Sequence, residues 1–378
     1  MKLREKALTN VDIIERYIKD FYTLDEKALI TSTTNIGFSV EKFKKEFNSN
    51  EWLNIENKYK DLLPYSSLDD FHLEVADRAS FFIKKIFSKY VTDDTFVIHS
   101  SFEHPNVEKE LAKVKHKKQL LYNQIISFNF EGFLTEYKIS GCNKIFVYVP
   151  GTSTCTGQII PQYFYTSIKA ACEKYNIPCM MVCDDVHGMF ITPRDYSIFD
   201  FVLYTCHSFI SNFDMGMLWS KYNEKLGYTN IERANAYYNN LILFLSKSDE
   251  IRIFPLLLAE YFAEELADPK YIELYTNTSC HIFALKTKGL IFNQKYFDLC
   301  DKYNVRLGET RSFINFMRFR IQEFILEDPS ILLNGLAMTK EAISKFKAKA
   351  EFLPSNTVFD GQRNISHEIK ENILLTSE

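Results

Sequence analysis

At 378 residues, 46% of them hydrophobic and 25% charged, the chain has the composition of a globular protein large enough for one large and one small domain. A net charge of −4, with acids and bases mixed along the length, gives no sign of a basic nucleic-acid-binding face. No apolar run approaches the roughly 18 residues that cross a bilayer, and the amino terminus MKLREKALTN lacks a signal core, so a cytoplasmic protein without membrane partners is predicted.

Residues 1–60 read as a helical amino-terminal arm rich in charge and aromatics. Over 69–90, Leu73, Ala76, Phe81, Ile83 and Phe87 recur at roughly helical spacing, and a short strand is expected at 95–99. The basic run Lys115, His116, Lys117, Lys118 reads as solvated helix surface. From Lys144, KIFVYV is a continuous apolar run suited to a buried parallel strand, followed by the turn-rich PGTSTCTG. Phe164, Ile168, Ala171, Cys172 and Tyr175 then share one helical face. Pro178 opens a second strand, CMMVC, that runs into Asp184-Asp185-Val186-His187-Gly188, and a third strand over 200–205 runs into Cys206-His207-Ser208.

Strand, helix, strand, loop, strand predicts an α/β fold with a mostly parallel central sheet. A helical region over 230–268 is positioned to link two lobes. Strands at 281–286 and 315–321 and a helix near 335–350 suggest a second, smaller α/β domain. The expected division is an arm (1–60), a large domain with its linker helix (61–268) and a small domain (269–378). The cysteines at 142, 155, 172, 179, 183, 206, 280 and 300 include no CxxC pair and read as reduced core thiols, with Cys155 and Cys206 set apart by their position in polar turns.

In an open parallel sheet the loops at the carboxyl ends of the strands form the binding crevice. Three polar clusters fall at such ends: 152–157, 184–188 and 205–208. Each alone reads as a turn, a strand cap or a satisfied core histidine; their coincidence carries the functional reading.

Asp184-x-x-His187 at a strand end, with the next strand ending in Thr205-Cys206-His207-Ser208, resembles the fold type I pyridoxal-phosphate (PLP) enzymes of the aspartate-aminotransferase superfamily. The segment FVIHSSFEHPNVEKEL resembles the strand and Glu-His of cysteine desulfurases and class V aminotransferases. By that resemblance Asp184 pairs with the cofactor's pyridine nitrogen, His187 contacts its phenolic oxygen, His104 lies on the ring and Thr205 binds the phosphate. Thr154 replaces the family's asparagine in a turn with Gly157 and Pro161 at the matching places, and Arg320, with Arg318 as alternate, matches the arginine that grips a substrate carboxylate. The family's glycine-bearing phosphate turn is missing from the corresponding DDFHLEVADRAS, where Ser66 or Ser67 is left as a further phosphate contact.

Ser208 stands where the family carries its lysine, and a hydroxyl cannot form the Schiff base. The resemblance then implies one of two outcomes. In the first, an aminotransferase-like protein acts on an amino acid or amino-ketone with pyridoxal or pyridoxamine phosphate, and His207 serves as base. In the second, a catalytically inactive relative serves as a binding partner. A homodimer is implied by the family. A third reading gathers His104, His187, His207, Asp184, Asp185 and Cys206 around a metal, although their spacing matches no compact motif. Lys221, on the strand after Ser208, is the other candidate for the lysine's role, against its plainer reading as a strand-end surface residue.

Overall fold

The computed structural model describes residues 49–62, 66–76, 78–101, 103–153, 156–188, 194–205, 216–226, 234 and 238, and the strand residues 272–274, 282–287, 308–309 and 316–320. The elements in chain order are α1 (Ser49–Leu62), β1 (His72–Ala76), α2 (Ala79–Tyr90), β2 (Thr95–Ser100), α3 (Pro105–Leu111), β3 (His116–Leu120), α4 (Tyr122–Ile126), α5 (Phe130–Ser140), β4 (Lys144–Pro150), α6 (Gln162–Lys174), β5 (Cys179–Asp184), β6 (Phe201–Thr205) and β7 (Gly216–Ser220). Four further strands follow: β8 (Ile272–Leu274), β9 (Ile282–Thr287), β10 (Gly308–Glu309) and β11 (Phe316–Arg320).

The first seven strands form one sheet in the order β1-β7-β6-β5-β4-β2-β3. The pairings from β6 through β3 are parallel, while β7 runs antiparallel to both β6 and β1. The four later strands form a second sheet, β10-β11-β9-β8, wholly antiparallel. The two sheets belong to separate compact units.

Strand side chains alternate between two apolar cores with the period of two that a pleated strand imposes. On one face Ile145, Val147 and Val149 of β4, Met181 and Cys183 of β5, Val202 and Tyr204 of β6, and Met217 and Trp219 of β7 pack against α1, α5 and α6. On the other, Phe146 and Tyr148, Val182, Phe201 and Leu203, and Leu218 meet Phe82, Ile83, Ile86 and Phe87 of α2 and Val107 and Leu111 of α3. Residues such as Phe82 and Ile86, at 0% exposure, each contribute roughly 1.5–3 kcal/mol through burial. Helices on both faces explain why the central strands read as unbroken apolar runs.

Two expectations are corrected. The helical spacing over 69–90 conceals a break, because residues 72–76 form β1, whose Leu73 and Val75 join one core while Glu74 is buried and accepts from the Leu226 N–H at 2.9 Å. Pairing with β7 decides the matter, and the helix starts only at Ala79. The basic run at 115–118 leads into β3, which starts at His116, rather than lying on a helix: Lys117 donates to the Leu111 carbonyl at 2.6 Å and Lys118 pairs with Glu136 at 2.7 Å. Cys172 and Cys183 are buried free thiols, while Cys142 and Cys179 are half-buried and free. Most of 1–60, nearly all of 230–268, the helix near 335–350, Cys155 and Cys206 lie outside the described residues. Among the described residues, no helix is long and apolar enough to cross a membrane.

Candidate functional site

The parallel strands β2, β4, β5 and β6 all end on the same side of the sheet, so their following residues share one rim. Helix α3 starts there with Pro105 at its first position, and His104 caps it by accepting the Asn106 N–H on Nδ1 at 3.2 Å. After β4, a bridge between Thr152 and Ile159 closes the turn. Within that turn Gly157 adopts φ +71°, a backbone that an L side chain resists. Pro161 then precedes the first residue of α6. The Gly188 N–H donates to the Asp185 carbonyl at 3.1 Å and rounds off the turn that carries His187, itself 5% exposed.

Consecutive aspartates at the end of β5 face opposite cores. Asp184, 3% exposed, accepts the Tyr148 hydroxyl on Oδ2 at 2.6 Å, and among the described residues its Oδ1 has only a 3.4 Å contact from the Val186 N–H. Burial pushes its carboxyl up to about 6, against the opposing pull of the Tyr148 and Val186 hydrogen bonds. Among the described residues no lysine or arginine pairs with it. Nearby, Glu103 accepts from the Ser100 N–H at 3.1 Å and the Ser100 hydroxyl at 2.5 Å. Burial, with the neighbouring charge of Asp184 adding to it, pushes Glu103 well above the usual carboxylate range.

Asp185, fully buried, has its own cation. Tyr196 donates its hydroxyl to Oδ2, and Arg194 Nε lies 3.8 Å from the same oxygen. The Arg194 guanidinium also donates to the carbonyls of Ile160 at 3.0 Å and Gly151 at 2.8 Å, and lies 5.5 Å from the centre of the Tyr165 ring. A Cβ at Gly151 or Gly188 would fall 2.3 or 2.1 Å from Asp185 Oδ1, so both rim turns close onto this carboxylate only because they are glycine there. The sequence singled out neither Arg194 nor Tyr148. Their only signals are a lone arginine in a polar loop and a tyrosine two places before a strand end.

Of the residues predicted for the site, Asp184, His187, His104 and Thr205 all lie at this rim, with Thr205 half-buried and in register with Gly216. Ser66 and Ser67 lie in a single 3-10 turn, where Ser67 accepts the Tyr196 N–H at 3.0 Å. Arg320 and Arg318 occupy alternate positions of β11, opposite Ile282 and Ala284. Thr154, His207 and Ser208 lie outside the described residues. Where the family bears its glycine turn, α2 opens after Arg78 without a side-chain cap, and Gly216 packs against the backbone of Arg78 and Ala79. Lys221 follows β7 and donates to the Ser197 carbonyl, as a strand-end residue does. No group of three or more metal-ligating side chains occurs among the described residues.

These residues fit a pyridine-type cofactor in one specific respect: a buried carboxylate with a spare acceptor oxygen and no described cationic partner stands where a ring cation would balance it.

No protein-family model matches the chain, and no curated sequence does. Solved structures do. The chain is similar to a NifS-like protein from Rickettsia africae at 13% identity and TM-score 0.60, covering 81% of this chain and 91% of that one. It is similar to the histidinol-phosphate aminotransferase of Clostridium acetobutylicum at 13% identity and TM-score 0.59, covering 84% and 96%. It is also similar to the serine palmitoyltransferase of Sphingomonas wittichii at 12% identity and TM-score 0.55, covering 80% and 78%. At such identities the likeness is one of architecture, and the chain has the fold of the fold type I PLP-dependent enzymes.

Proposed function

We propose that the chain binds pyridoxal or pyridoxamine phosphate without a covalent bond and is an atypical aminotransferase-like protein acting on an amino acid or amino-ketone. The observation that carries this reading is Asp184: a carboxylate buried at the crevice rim, held by one phenol and lacking a described cation. When bound, the cofactor would supply an electron sink for the substrate carbon. Asp184 would balance the ring's positive charge, His187 would contact the phenolic oxygen, His104 would cover the ring face, and Thr205, with Thr154, would help hold the group in place. His207 would move the proton in place of the lysine that Ser208 replaces. Arg320 would hold the substrate carboxylate, and the working unit would be a homodimer.

The second reading, an inactive relative that binds a ligand or partner, is favoured by Arg78 and Ala79 at the start of α2, where the resemblance expects a glycine turn.

An absorbance titration with each cofactor form, before and after borohydride, separates the two. The expected result is saturable binding of the aminated form with no reducible colour fixed to the protein. Replacement of Asp184 by asparagine should weaken that binding by about 30-fold or more, the lower end of the ~2–5 kcal/mol lost on truncating a buried charge pair. Binding of neither form by the wild-type protein would sink this reading and favour the inactive one.

A further inference from the structure

Tyr148 sits two residues before the end of β4, with its ring 5.4 Å from that of Phe87 on α2 and its hydroxyl 2.6 Å from Asp184 Oδ2. We propose that Tyr148 is a positioning residue for the crevice: its phenol fixes Asp184 in one orientation and one charge state, leaving Oδ1 to meet the cofactor's ring cation. The inference rests on the cofactor reading above and goes further, by assigning control of Asp184 to a residue on the neighbouring strand.

The geometry gives three reasons. An ionised carboxylate offers about four acceptor positions, and the strong bond here is to Oδ2, while Oδ1 has only the long Val186 contact. Each oxygen keeps an acceptor position, and Oδ1, with the longer contact, is the less committed of the two. Tyr148 is also a committed donor, because burial, with Asp184 and Glu103 adding to it, pushes its phenol well above the ordinary value. It keeps its proton wherever the protein is folded near neutrality.

The remaining described titratable groups around Asp184 do not substitute for it. Asp185 is paired with Arg194 on the opposite face, burial pushes Glu103 well above the usual carboxylate range, and burial likewise pushes the Cys183 thiol up. From α2, the contact with Tyr148 is the uncharged Phe87. Without the phenol, burial would act on Asp184 with much less opposition, and at neutral pH the group would increasingly take up a proton. A neutral acid cannot balance a ring cation.

The test compares wild type, Tyr148→Phe and Asp184→Asn. Phenylalanine keeps the ring that packs on Phe87, so circular dichroism should be close to wild type. Infrared spectra of the ligand-free protein, with the Asp184→Asn spectrum subtracted, report the Asp184 carboxylic band as pH is raised. The expected midpoint is about 6 in the wild type. In Tyr148→Phe it should lie above neutrality, a roughly tenfold or greater gain in proton affinity. Equal midpoints would overturn the proposal.

The second measurement is binding of pyridoxamine phosphate against its analogue lacking the ring nitrogen. Wild type should prefer the nitrogen-bearing ligand near pH 7, and Tyr148→Phe should lose most of that preference there and recover it as pH rises. An unchanged preference would also overturn the proposal. If wild type binds neither ligand, the cofactor reading falls, and with it Tyr148's role toward a ring. The infrared midpoints still decide whether the phenol governs the charge of Asp184.

Discussion

The two sides of the sheet solve the same electrostatic problem differently. Asp184 and Asp185 are neighbours in sequence and equally hidden from water, yet the pleat sends them to opposite cores. On the α6 side Asp185 meets a guanidinium, a phenol and two glycines, a set that ties the turns after β4 and β5 together although its Oδ1 has no hydrogen-bond partner among the described residues. On the α2 side Asp184 meets a phenol and one long backbone contact, and no cation among the described residues. The difference teaches that burial is not itself a mark of function. What distinguishes a structural carboxylate from a candidate ligand-binding one is whether the fold supplies its counter-charge.

Three substitutions would break or sharpen this contrast. The largest effect is expected from Arg194→Met, which leaves Asp185 buried without its cation and should cost about 3–5 kcal/mol in urea unfolding. Much of that loss should return in the Arg194→Met, Asp185→Asn double variant. A double variant no better than the single would mean that the pair is not what binds the two turns.

Next comes the pH dependence of Asp184. Its folded value of about 6 lies above the ordinary 3.8, so the folded protein binds that proton more tightly than the unfolded chain. Stability from this group is complete below about pH 4 and is lost as pH rises through about 6. The loss totals ~3 kcal/mol, from a difference of about 2.2 at ~1.4 kcal/mol each. Asp184→Asn should lack that fall, so the two unfolding curves should separate above about pH 4 in the variant's favour. Parallel curves would show that Asp184 already has a counter-charge.

The smallest effect is expected from Gly188→Ala. Its methyl would meet Asp185 Oδ1 at 2.1 Å and Thr152 Oγ1 at 2.7 Å, and the crowding should cost about 1–3 kcal/mol in thermal unfolding. A neutral result would show that the turn after β5 can yield without disturbing the ion pair.

Much of the central layer was legible because a strand buried on both faces leaves an unbroken apolar run. KIFVYV and CMMVC, with the α6 face between them, place the rim clusters from sequence pattern alone. The flanks were not legible for a physical reason. In β1 a buried glutamate and three apolar residues suit strand and helix alike, and only pairing with β7 chooses between them. In β3 the residues are too polar to look like a strand at all. At the site, the Asp184–His187 spacing identifies the strand end, but nothing in the local sequence shows that Tyr148 would reach Asp184 across 36 positions or that Arg194 would fold back onto Asp185. Such partners are chosen by the sheet's lateral order, a property of the whole fold rather than of any window along the chain.

The lysines of β3 carry a consequence beyond local pairing. An outermost strand bares a row of amide groups that invites a foreign strand to dock, and here every approach would first have to strip water from cationic heads. Where the described sheet stops, its last strand thus acts as a solubility fringe. Replacing Lys117 and Lys118 with valine should leave the native fold in place yet turn concentrated samples turbid, as light scattering would register.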